Sequence, residues 1–89
     1  MARLEYSSRD IVEFAAEGGA PDALFELGLI YASGREVDQD FITAHKWFNL
    51  AALRGNDDAK RYRLELSREM TKMQIACAQK LAREWISKH

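Results

Sequence analysis

Few residues of this chain have the type and spacing for chemistry. Its 89 residues include two histidines, His45 and His89, and one cysteine, Cys77. A metal site needs several His, Cys or carboxylate ligands converging on one point. His45 has no such residue three or four places away along its helical stretch, and His89 is the last residue, where a helix frays. Cys77 has Lys80 one turn on, a neighbour that favours the thiolate. A lone thiol in an amphipathic stretch is nonetheless expected to pack as a small apolar group. Asp38 with Asp40, and Asp57 with Asp58, resemble carboxylate pairs for acid–base work. Each pair stands just ahead of an apolar helical stretch, where a carboxylate caps the helix or complements its dipole. No glycine-rich loop joins a strand to a helix, so no phosphate cradle is expected. The expectation is a chain with no catalytic residue, no metal and no cofactor.

Lys60, Arg61, Arg63, Arg68 and Lys72 pose a different question, whether the basic C-terminal half meets nucleic acid. On one helix these five spread around the cylinder, and Glu65 and Glu69 interrupt them. A phosphate-tracking stripe needs its cations on one face. A nucleic-acid accessory role is therefore the weaker alternative. Charge is nevertheless uneven along the chain. Residues 1–58 hold five Lys/Arg and eleven Asp/Glu, a balance of −6, and residues 59–89 hold eight and three, a balance of +5. Solvated helix faces explain this simply, and opposite ends of opposite sign would also favour head-to-tail self-association.

The elements that would position any site are helices. Leu24, Leu27, Gly28 and Tyr31 fall on one face of a 3.6-residue period. Phe41, Ala44, Trp47, Phe48, Ala51 and Ala52 make a second such face, small residues alternating with rings. Gly28 in mid-helix costs roughly 0.8–1 kcal/mol relative to Ala, a loss tolerated where another helix must come close. Gly34 and Gly55 close the two patterns as left-handed caps, and Asn56 is read with Gly55 as the end of the second helix. Ser7 and Asp10 open an earlier helix over residues 7–18, carrying Ile11, Val12, Phe14, Ala15 and Ala16. Pro21 suits the first turn of the next helix, and Val37 in the charged connector is expected to turn inward. Residues 57–70 form a helix with a thin apolar face of Ala59, Tyr62, Leu64, Leu66 and Met70. Thr71 and Gln74 form a capping box for a last helix over residues 72–88, striped by Ile75, Ala78, Leu81, Ala82 and Trp85. Its polar side is Gln79, Lys80, Arg83 and Lys88, and it is expected to fold back and seal the open end of the bundle.

A repeat underlies these elements. Ala15, Ala16, Gly19, Asp22 and Ala23 recur 36 residues later as Ala51, Ala52, Gly55, Asp58 and Ala59. A fixed period of this length is the mark of a solenoid of helical pairs. Ala23, Leu27, Gly28, Tyr31, Gly34, Val37, Asp40, Ala44, Trp47, Ala51, Ala52, Gly55 and Ala59, in that order and spacing, resemble a Sel-one-like repeat, the slightly longer relative of the tetratricopeptide repeat. The resemblance covers one full repeat, residues 21–55, flanked by a half-repeat over 7–18 and a partial one over 57–70. Arg63 and Leu64 depart from the pattern where Leu-Gly would stand, and Arg68, Glu69 and Met70 replace the closing glycine turn. The resemblance implies an all-α, right-handed stack of about five helices with a C-terminal capping helix, acting as a protein- or peptide-binding scaffold. In related arrays the first helix of each pair lines a concave face. Carried over, that face is Asp22, Phe25, Leu29 and Ala32, with Asp58, Arg61, Glu65 and Arg68 in the second unit. Phe25 and Leu29 lie beside an already complete packing stripe, so they read as surplus apolar surface for a peptide or partner helix. The alternatives are coverage of both by terminal helices, and a homodimer using the same face.

Length and composition agree with one small domain spanning residues 1–89. An apolar share of 47% allows a core, and a stack this short leans on its end helices or on a second chain for stability. One cysteine permits no internal disulfide and suits the cytoplasm. Neither a leader-like apolar segment nor an apolar run of membrane length is present, so no membrane partner is expected.

Overall fold

A computed structural model describes residues 8–89, and among them every regular element is helical. The elements are α1 (Ser8–Glu17), α2 (Pro21–Ser33), α3 (Phe41–Leu53), α4 (Asp57–Ser67) and α5 (Lys72–Lys88). The expected cap at Ser7 and the lead-in before it lie outside the described residues. α4 ends at Ser67, three residues before the expected Met70, because Arg68, Glu69 and Met70 turn toward α5.

Local chemistry fixes most boundaries. Pro21 occupies the first turn of α2, where its missing N–H is not needed. Gly34 caps the other end with φ 77°, a left-handed conformation that other residues adopt only at a cost, and its N–H donates to the Ile30 carbonyl. The connector is tied down as well. The Asp40 N–H donates to the Tyr31 carbonyl at 2.9 Å, and Gln39 Nε2 donates to the Ala32 carbonyl at 2.8 Å. Val37 is half-buried against the core, as its apolar character requires. Asp40 accepts from the Thr43 N–H to open α3. Asn56 does the same for α4 by accepting from Ala59, so this residue begins a helix rather than ending one. Thr71 and Gln74 complete both arms of the capping box at α5. Glu36 reaches from the connector to accept the Arg9 N–H, satisfying a donor at the start of α1.

Packing builds outward from the α2–α3 pair. α1 packs against α2, while α4 and α5 both pack against α3. Leu24, Leu27, Ile30, Leu50, Ala51 and Ala59 form the main core, and Ala44, Phe48 and Leu66 form a second cluster beside it. α2 and α3 meet closely because Gly28 has no side chain. A Cβ there would collide with Cδ1 and Cε1 of Phe48. α4 and α5 do not form a second pair of this kind. Thirty-six residues beyond Gly28 stands Leu64, and the same distance beyond Phe48 stands Glu84. The α4–α5 segment therefore lacks both the close-approach glycine and the ring that fills its place. Instead α5 lays Ala78, Ala82 and Trp85 on α3, with the Trp85 ring edge-on to Trp47 at 6.3 Å. Leu64, expected on the apolar face of α4, is 57% exposed. With no partner helix held against that side, its side chain stays in water.

A candidate groove lined by three helices

The residues whose types could do chemistry are built into the fold or stand apart. His45 is 2% exposed. Its Nε2 lies 3.0 Å from Ser67 Oγ, and that hydroxyl donates to the Arg63 carbonyl at 2.8 Å. The serine oxygen is therefore left to accept, which places the imidazole proton on Nε2. Burial, and then the nearby Arg63 cation, hold the His45 pKa below its ordinary value. Cys77, expected to be packed, is exposed on the outer side of α5. The reason is rotational: the stripe of Ala78, Ala82 and Trp85 faces α3, and Cys77, one residue before Ala78, is turned about 100° away from it. Asp40, Asp57 and Asp58 serve as helix-start carboxylates, and Asp58 also lies 3.4 Å from Arg61. Among the described residues no three His, Cys, Asp or Glu side chains come together to hold a metal. Among the described residues no helix is long and apolar enough to cross a membrane.

The expected concave face resolves into a groove with different edges. Leu29, Ala32 and Ser33 of α2, Phe41 and Phe48 of α3, and Tyr62, Glu65, Leu66 and Glu69 of α4 and its exit turn line an open depression of about 390 Å³. Leu29, Ala32 and Glu65 of the expected set are brought together there. Phe25 is not loose surface. It is half-buried in a trio of rings, 5.7 Å from Phe48 and 5.2 Å from Tyr62, and the T-shaped Tyr62 contact locks α2 to α4. Its cover comes from α4 rather than from a terminal helix. Asp22 accepts from Asn56 Nδ2 at 3.2 Å and so ties the starts of α2 and α4 together. Arg61 lies over the Tyr62 ring at 5.7 Å, outside the lining residues. Arg68 is exposed and does not line the groove either, because α4 has ended before it; the neighbouring Glu69 does.

The floor is apolar and the α4 edge is acidic, with Glu65 and Glu69 four residues apart and no cation among the lining residues. Phe41, Phe48, Tyr62 and Leu66 were assigned by sequence to packing stripes, so nothing in their spacing marked them as groove floor. Arg63, one of the five basic residues, turns inward, its Nη1 donating to Asn49 Oδ1 at 2.6 Å, so the five share no single face. Comparison with known protein families, with curated proteins and with solved structures finds no match to this chain.

Proposed function

We propose that this chain is a non-enzymatic, peptide- or protein-binding module. In this reading it is a short right-handed stack similar to Sel-one-like repeats, and its α2–α4 groove takes an extended or helical segment with an apolar anchor beside a Lys or Arg. The observation that carries the reading is the groove: an apolar floor on three helices, with Glu65 and Glu69 on its edge. A depression of about 390 Å³ falls in the range of ligand sites, about 300–1,000 Å³. Rings and small side chains provide the anchor's contacts, and the two carboxylates select a cation next to it. The 36-residue recurrence and the parallel between α1 on α2 and α4 on α3 support the repeat reading. The exposed Cys77 thiol suits a reducing compartment such as the cytoplasm. A homodimer through the same groove is less favoured, because it would bring two pairs of carboxylates together.

Selection of a displayed random-peptide library on the folded protein tests this. Enriched peptides should share an apolar residue within a few positions of Lys or Arg. Their affinity should fall about tenfold or more against Glu65→Lys with Glu69→Lys, and similarly against Ala32→Trp, which fills the floor. Enriched peptides that bind all three proteins alike would place their contact elsewhere.

A further inference from the structure

α1 is apolar on two sides. Val12 and Ala16 face the core, as one side of a surface helix must. On the other side Ile11 is 63% exposed, Phe14 is 82% exposed, and Ala15 is exposed between them. A helix of a stacked array packs on both sides, and no described residue covers this outer face, so it is a surface open to contact. Asp10, Glu13 and Glu17 line one flank of it, with Arg9 3.4 Å from Asp10 and 3.9 Å from Glu13, so the face stays net acidic, and the last turn carries no cation. The opposite end of the molecule has the complementary character. α5 packs inward through Ala78, Ala82 and Trp85, and its outer side presents Met73, 83% exposed, with Ala76 and Cys77 beside it. Lys72, Lys80 and Arg83 accompany them, against the single acid Glu84.

We infer that copies of this chain associate head to tail, the Ile11–Phe14 face of α1 in one copy seating on the Met73–Cys77 face of α5 in the next. Charge selects this pairing over the symmetric ones. Two α1 faces, each with three carboxylates against the single cation Arg9, would set like net charges against each other, and two α5 faces would oppose their cations, whereas α1 on α5 pairs opposite net signs around an apolar centre. A heterologous contact leaves one free α1 face and one free α5 face after each addition, so growth does not stop at a dimer unless the rotation closes a ring. The surface is separate from the α2–α4 groove, and the inference stands whether or not that groove binds a peptide.

The test uses sedimentation under reducing conditions with a head-blocked variant, Phe14→Glu, and a tail-blocked variant, Met73→Glu. Both positions are exposed, and circular dichroism should match wild type; if either variant unfolds, Ala15→Arg and Lys80→Glu replace them. Wild-type mass should rise past twice the monomer as concentration increases, and fall back as salt rises to about 0.5 M, where charges are screened within a few ångströms. Each variant alone should stay monomeric where wild type associates. An equimolar mixture should double in mass and go no further, because it holds one intact α1 face and one intact α5 face. Wild type that stays monomeric at every concentration overturns the inference. So does a mixture that stays monomeric, or a wild-type dimer insensitive to both substitutions.

Discussion

His45 shows how a residue that looks chemical can be absorbed by packing. Its Nε2–H is held by Ser67, its ring is buried, and Arg63 stands nearby, so the neutral imidazole is the form the fold accepts. Folding therefore lowers its pKa below the ordinary 6.5. Between the folded and unfolded values the unfolded chain binds more protons, and stability rises with pH. The stabilisation is complete above pH 6.5, falls as pH drops through that value, and stops falling below the folded-state pKa. Urea unfolding at pH 7.5 and pH 5 should show this loss in wild type, and His45→Gln should show a smaller one. An identical pH slope in the two proteins would mean that other groups carry it. Ordinary helix-terminal chemistry accounts for the acidic residues. Asp40 holds the Thr43 N–H, and Asp57 and Asp58 sit in the first turn of α4.

Among the elements, the α2–α3 pair is the part that the sequence made most legible. Its apolar stripes, the Gly34 cap and the Asp40 start all follow from local signals, and each appears where those signals put it. Gly28 was legible as a place of close approach, and the partner turns out to be Phe48. Replacing Gly28 by Ala gains about 1 kcal/mol of helix propensity but forces a methyl into a buried ring, at a cost of about 1–3 kcal/mol. The expected net effect in chemical denaturation is destabilisation. Adding Phe48→Leu should recover part of it, giving a double mutant less destabilised than the sum of the singles. Strict additivity would show that the ring does not set the helix separation. The C-terminal elements were legible only as helices. The Asp57–Asp58 first turn and the Thr71 capping box are local signals, but the choice of α3 over α4 as the partner of α5 is not. It depends on Leu64 and Glu84 standing where a glycine and a phenylalanine would be needed. The exposure of Cys77 and Leu64 and the capture of Phe25 by Tyr62 follow from that tertiary choice, and no short-range spacing reports them.

At the scale of the whole molecule, charge and shape are both directional. The principal extents are 50 × 25 × 22 Å, an elongated body for a chain of this length. α1 is net acidic, with Asp10, Glu13 and Glu17 against Arg9, while α5 is predominantly basic. The groove between α2 and α4 lies on neither of the two proposed contact faces, so one copy could engage a peptide and its neighbours together. The resemblance to related arrays pointed to Leu29 and Ala32, and the 36-residue offset added Glu65. Arg68 was misplaced because the offset continues a helix that ends at Ser67, and Glu69 takes the edge position instead. The central claim is that the groove is where this module binds. Nuclear magnetic resonance of the labelled protein, titrated with a library-selected peptide, tests it most directly. The account predicts that the largest shift changes cluster at Leu29, Ala32, Phe41, Tyr62, Glu65 and Glu69, and that Ile11, Phe14 and Met73 stay unchanged. Changes concentrated on the outer faces of α1 or α5, with the groove residues silent, would contradict it.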